Sequence, residues 1–239
     1  MKNWLVLMSV MALACGGGNS DGLTPDENAD AGSKTEEKGL WIDASSGLTL
    51  NAENKVSSML EVKRGTKVLE TATLTANGVE IDKYEDSTTF KWALSPKDVG
   101  AQPGKDIELV ATDNGETATL KVPCPSDVTI APVSGPLTAG QKITVSWTGA
   151  VHYPDPWSKP NIGVYPCDAD GSHIRFPPPG DHSKTLDEGA TSVELTVPDS
   201  EGREAYIIRL HVYGTQVDNA QGKGHCTLTR EQVVTGSAD

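Results

Sequence analysis

Positive charge is the scarcest commodity in this chain of 239 residues: 20 Lys and Arg stand against 33 Asp and Glu, a formal net charge of −13 with histidine neutral. Binding to nucleic acid rests on Lys and Arg neutralising phosphates, so a surface of this sign argues against it. It equally repels anionic lipid head groups, so membrane attachment through a basic patch is excluded. Long apolar runs are scarce too. The single one, Trp4 to Ala14, is eleven residues long, whereas a membrane-crossing helix needs roughly 20. Catalytic signatures are missing: there is no G-x-S-x-G, no H-E-x-x-H and no phosphate-binding Gly-Lys loop. His152, His173, His182, His211 and His225 are scattered, and no two of the four cysteines share the spacing of metal ligands. Asp168-Ala169-Asp170-Gly171 opens like a calcium loop but lacks the later ligands and the closing Glu, so it reads as a turn. No long segment carries a 3.6-residue apolar period; residues 95–99 offer at most one helical turn.

What is present begins at the amino terminus. Met1-Lys2-Asn3 gives a positive start, the apolar run follows, and Ala12-Leu13-Ala14-Cys15 closes it with small residues before a cysteine. The run has the length of a signal-peptide core. Gly16-Gly17-Gly18-Asn19-Ser20 then releases the chain into polar sequence. This segment resembles a bacterial lipoprotein signal, with Ala12 where that family prefers Leu. The resemblance implies cleavage after residue 14 and lipidation of Cys15; the alternative is an ordinary secretory signal cut nearby. It also implies an address at the outer membrane, because Gly16 stands where enteric lipoproteins retained at the inner membrane carry Asp. Removing residues 1–14, which hold one Lys and no acid, leaves 19 basic and 33 acidic side chains. Residues 15–39 then read as a lipid-anchored flexible linker: from Ser20 to Gly39 the one sizeable apolar side chain is Leu23, too little to offset the entropy of ordering.

From Leu40 the chain reads as all-β, and the pattern predicts two immunoglobulin-like β-sandwich domains, 40–123 and 124–239. In the first, period-two alternation rich in Val, Thr, Leu and Ile marks strands at 59–62, 68–75, 79–81, 89–94, 107–111 and 117–122. Asn77-Gly78 and Asp113-Asn114-Gly115 are hairpin signals, because Gly and Asn accept positive φ at low cost. After Val122-Pro123-Cys124-Pro125, seven more strands are expected at 128–130, 142–147, 162–165, 173–176, 192–197, 205–213 and 227–234. Their count fits the order A, B, C, C′, E, F, G. In 205–213, Tyr206, Ile208, Leu210 and Val212 face one way; Ile207, Arg209, His211 and Tyr213 face the other, with His211 expected in solvent. Gly140-Gln141-Lys142-Ile143-Thr144-Val145-Ser146-Trp147 resembles a stretch common in bacterial immunoglobulin-like modules, and Val197-Pro198 followed by 205–212 resembles their passage from strand E to F. The likeness covers about the last 110 residues and implies architecture, not activity. In overall style the chain is similar to envelope lipoproteins of myxobacteria.

With Cys15 lipidated, Cys124, Cys167 and Cys226 remain, enough for one internal disulfide and one leftover thiol. In the assigned topology Cys124 precedes strand A and Cys226 opens strand G, both at the end bearing the B–C and F–G loops. Cys167 ends strand C at the opposite end, some 15–20 Å away at about 3.3 Å per residue, whereas a bridge spans about 4.4–6.8 Å between Cα atoms. Cys124–Cys226 is therefore favoured over Cys167–Cys226.

One constellation is a candidate binding surface. The B–C connection, 149–161, holds His152, Tyr153 and Trp157 among Val151, Pro154, Pro156 and Pro160. The F–G connection, 214–225, holds Asp218, Asn219, Gln221 and Lys223. In an immunoglobulin-like sandwich these loops lie side by side, where aromatics beside amides and carboxylates anchor a protein or stack on a sugar. The competing reading has Tyr153 and Trp157 plugging the open end of the sandwich. The expectation is a non-enzymatic, cofactor-free binding or assembly module with a protein partner in the envelope, for example in adhesion or gliding motility. The alternatives are a carbohydrate-binding lipoprotein and, disfavoured by the missing nucleophile and base, an enzyme of unfamiliar type.

Overall fold

The structure, a computed structural model, describes residues 39–51, 58–85, 90–95, 98–149, 151 and 159–237. Every regular element among them is a β-strand. The signal, the linker up to residue 38 with Cys15, and His152, Tyr153 and Trp157 lie outside the described residues.

In the first part, β1 (Leu40–Leu50), β2 (Ser58–Arg64), β3 (Lys67–Val68), β6 (Lys83–Glu85) and β7 (Phe90–Leu94) belong to one sheet. Facing them, β4 (Thr73–Ala76), β5 (Val79–Glu80), β8 (Asp106–Asp113) and β9 (Glu116–Pro123) form a second sheet in the order β5-β4-β8-β9. Alternation dictates the packing. Leu40, Ile42, Ala44, Leu60, Val62 and Trp92 point inward against Leu74, Ile107, Leu109, Leu120 and Val122, all buried. Asn77-Gly78 and Asn114-Gly115 turn the β4–β5 and β8–β9 hairpins, each with positive φ at both residues, as their sequences demand.

In the second part, β10 (Thr129–Ile130), β11 (Lys142–Thr148) and β14 (Ser192–Thr196) make a three-stranded sheet. Opposite it run β13 (Ser183–Thr185), β12 (Asn161–Cys167), β15 (Ala205–Tyr213) and β17 (Gly222–Thr235), with β16 (Val217–Asn219) paired to β17. Strands A, B and E against C′, C, F and G is the immunoglobulin-like arrangement. Tyr206, buried at the start of F, donates its hydroxyl back to the Pro198 carbonyl at 3.1 Å, a tyrosine corner. The C′ strand is not where alternation placed it: residues 173–176 are not a strand, and 183–185 pair with β12 instead.

The two parts share a sheet. β17 pairs with β15 along Thr227–Thr235 and, on its other edge, runs parallel to β1, from Ile42↔Gly222 to Leu50↔Leu228. A ten-stranded sheet thus passes the expected boundary at Pro123-Cys124 without a break, and one continuous core lies beneath it. Between Ala44↔Gly224 and Leu48↔Cys226 the register shifts: four steps along β1 match two along β17. The extra residues, within Ser45-Ser46-Gly47, are a bulge. In sequence that tripeptide looks like a turn, which hides β1 from a search for alternation.

Candidate functional site

Among the described residues, two long excursions leave the second sandwich, and each builds a surface. The F–G connection folds into the β16–β17 hairpin and docks on the first part. Its backbone makes the contact: Ile42 donates its amide to the Gln221 carbonyl at 3.0 Å. Side chains finish it. Gln221 accepts from the Thr119 amide at 3.1 Å, Asn219 accepts from the Gln221 amide at 2.8 Å, and the Trp41 indole N–H points to the Asn219 carbonyl at 3.4 Å. Glycine permits the closeness. A Cβ on Gly222 would lie 2.3 Å from the Ile42 carbonyl oxygen, and one on Gly214 would lie 2.3 Å from that of Pro123. Beside this joint the disulfide Cys124–Cys226 closes with Cα atoms 4.9 Å apart, the pairing favoured from topology. Asp218 is exposed on β16, opposite Lys223. Of the expected constellation, then, Asn219 and Gln221 spend their hydrogen bonds on the joint, while the aromatic half lies outside the described residues.

A groove of about 150 Å³ opens beside that joint, on the outer face of the shared sheet, lined by Asp43, Ser45, Ser46, Met59, Glu61 and Lys91. Strand pairing sets the charges in a row: Lys223 beside Asp43, Asp43 beside Glu61. Lys63 clamps both carboxylates, 2.8 Å from Asp43 and 2.6 Å from Glu61, and Lys223 approaches Asp43 at 3.9 Å while lying 5.5 Å from the Trp41 ring centre. Burial pushes the Asp43 carboxyl up, but hydrogen bonds from Lys63 and Ser45 outweigh it and hold it below the ordinary carboxylate range. The same contacts hold the Lys63 ammonium above its usual value against the opposing effect of burial. These charges are already partnered, so the groove suits polar contacts rather than proton transfer. Among the described residues no group of three or more His, Cys, Asp or Glu side chains could hold a metal ion.

The C–C′ connection, 168–182, builds the other surface. It crosses the outer face of the second sandwich, the side opposite the core. Asp168 anchors it, taking hydrogen bonds from the Arg203 guanidinium and, at 2.8 Å, from His173. The Arg175 amide bonds the Pro166 carbonyl at 2.8 Å. Ile174 packs over Cys167, Ala205 and Ile207, a small second core. Cys167 is a buried free thiol whose pKa is pushed up to about 11, chiefly by burial and then by Asp168 and Asp170. Phe176 rests on Tyr165, ring centres 5.2 Å apart, and Tyr165 meets His182 edge-on at 6.0 Å. Phe176 nonetheless remains 69% exposed. On the same sheet face His211 is half-buried and 3.0 Å from the Thr229 hydroxyl; burial, then Arg209, lowers its pKa to about 4. It is not the solvated side chain that the outward side of a strand suggests.

No family model matches the chain, and no curated protein matches it either. Among solved structures it is similar to the fibronectin(III)-like modules of Clostridium thermocellum CbhA, at 12% identity over 80% of this chain and 92% of that one, with a TM-score of 0.23. It is also similar to protocadherin gamma B2 extracellular cadherin domains, at 12% identity over 84% of this chain and 41% of that one, with a TM-score of 0.26. The immunoglobulin-like assignment stands on the strand order above.

Proposed function

We propose that this chain is a lipid-anchored cell-envelope protein acting as a non-enzymatic binding or assembly module, tethered to the outer membrane through Cys15 and engaging a protein partner in a surface complex such as one for adhesion or gliding. The observation that carries the reading is the joint. A shared sheet, a docked hairpin and a disulfide join the two described parts into one stiff body, and the sequence before it reads as an acylation signal followed by a polar leash. A stiff body on a leash suits the display of surfaces, since little conformational entropy is lost when a partner binds. The surfaces so displayed are side-chain patches on sheet faces, with partnered charges in one and ring contacts in the other.

Fractionation of the native cell and intact mass of the purified protein test the anchor. The wild type is expected in the membrane fraction, starting at residue 15 and heavier by its acyl chains. Cys15→Ala is expected to abolish attachment and leave a soluble or unprocessed product. A wild-type protein without lipid would overturn the anchored reading.

A further inference from the structure

The C–C′ connection does two separable things. Residues 171–174 cover the sheet: a Cβ on Gly171 would meet Val233 at 2.8 Å, and Ile174 closes the small core over Cys167 and Ile207. Residues 176–179 stand mostly in solvent, although Phe176 touches the Tyr165 ring and Pro177 is half-buried. Phe176 is 69% exposed, Pro178 and Pro179 are exposed, and Val233, in the cross-strand row Tyr165–Ile207–Val233 beneath the connection, is 43% exposed. Both ends of this stretch are fixed, by the Arg175 amide on Pro166 before it and by Val164 donating to the His182 carbonyl at 2.9 Å after it.

We propose that Phe176-Pro177-Pro178-Pro179 is a preformed docking ridge for a partner protein whose groove is lined by Trp and Tyr rings. This rests on the binding-module reading and names its contact surface. Three successive prolines fix φ near −65° and disfavour the helical region for each preceding residue, so the segment is stiff before any partner arrives, with its backbone bending at 178–180. Prolines bring no N–H, so the backbone of 177–179 offers carbonyl acceptors alone. Indole N–H and phenol O–H groups are the complementary donors, and their rings are the complementary faces for proline and phenylalanine. Arg175, exposed next to Phe176, adds a cation that favours a carboxylate on the groove rim. A ridge so stiffened loses little entropy on docking.

The test uses the full chain in its native membrane, with a benzophenone side chain placed at Arg175 and, in a second variant, at Lys91 of the groove. Irradiation of the Arg175 variant is expected to give a discrete adduct with a second protein, mapping to a Trp- or Tyr-bearing surface of it. An excess of synthetic peptide 173–180 should reduce that adduct at least tenfold and a scrambled peptide should not. Phe176→Ala in the same background should reduce it similarly, with the melting temperature of the purified protein unchanged. An adduct of twice the chain's own mass, one to lipid or glycan, or one indifferent to the peptide and to Phe176→Ala would overturn the proposal. An adduct from Lys91 alone would overturn it while leaving the binding-module reading intact. Adducts from neither position would overturn both.

Discussion

The F–G hairpin and the C–C′ connection leave the same sandwich, are of similar length, and end in opposite states. The hairpin is polar, with Asp218, Asn219, Gln221 and Lys223, yet it is absorbed into the fold through backbone pairing with β1 and glycine contacts. The connection is the apolar one, with Ile174, Phe176 and three prolines, yet it leaves an aromatic ring in solvent. The difference lies in what each backbone can donate. Residues 217–224 have amides and carbonyls free to enter a ladder, and a sheet edge is there to receive them. Residues 177–179 have no amide to give, so they attach through side chains or not at all. Amides in a loop thus answered a backbone need, and the prolines marked the surface left over.

The largest way to break the comparison is to cut the joint. Cys124 and Cys226 are 102 residues apart in sequence, and a loop of that order contributes about 3–5 kcal/mol when closed. Replacing both by Ala should lower the melting temperature by about 10 °C or more. Cys167→Ala should leave the disulfide intact, which non-reducing mass analysis of the double and single variants would show.

Glycine substitutions come next. Gly222→Ala drives a methyl toward the Ile42 carbonyl and should cost about 2–3 kcal/mol. Gly180→Ala, in the C–C′ connection, meets the nearest atom at 3.4 Å and should stay within about 0.5 kcal/mol. Chemical denaturation of both variants measures the contrast. Equal losses would mean that the hairpin is no more tightly held than the connection.

A pH effect of intermediate size separates the two surfaces. His211 has a folded pKa of about 4 against an ordinary 6.5. Between those values the unfolded chain takes up a proton that the folded chain refuses, so stability falls as pH drops from about 6.5 to about 4, by on the order of 1–3 kcal/mol. Asp43, in the groove, is held below its ordinary 3.8; its contribution is present above 3.8 and is lost as pH falls further. His211→Gln should flatten the upper window and leave the lower one alone, as denaturation midpoints across pH 3–8 would report.

Much of the fold was legible from residues. Asn77-Gly78 and Asn114-Gly115 announced their hairpins, alternation in 205–213 named the inward face, and topology favoured the right cysteine pair. Three features were not legible, each because a local pattern answered a distant partner. β1 was hidden by Ser45-Ser46-Gly47, a bulge that only its pairing with β17 explains. Ile174 and Phe176 alternate like a strand because one packs down on the sheet and the other lies along Tyr165, while the true C′ pairing falls to Ser183–Thr185. His211 looked solvated because the outward side of a strand usually is, whereas here it is half-buried beside Thr229. Of the candidate site residues, Asn219 and Gln221 make hydrogen bonds within the fold at the exposed rim of the joint, while His152, Tyr153 and Trp157 lie outside the described residues.

The smallest expected effect sharpens the comparison most. Phe176 loses little solvent contact on folding, being 69% exposed, and its one described ring partner, Tyr165, keeps His182 on another side. Surface truncations away from caps, cavities and buried polar groups fall within about 0.5 kcal/mol, so Phe176→Ala should shift the melting temperature by no more than about 2 °C. Ile174→Ala should cost more, because Ile174 closes the small core over Cys167 and Ile207 and its loss leaves a gap. Thiol labelling gives a second readout: opening that core should make Cys167 react faster in Ile174→Ala and leave its rate unchanged in Phe176→Ala. If instead Phe176→Ala melts early and exposes Cys167, the ring belongs to the cover. The connection would then resemble the F–G hairpin, a piece of the fold with nothing left over for a partner.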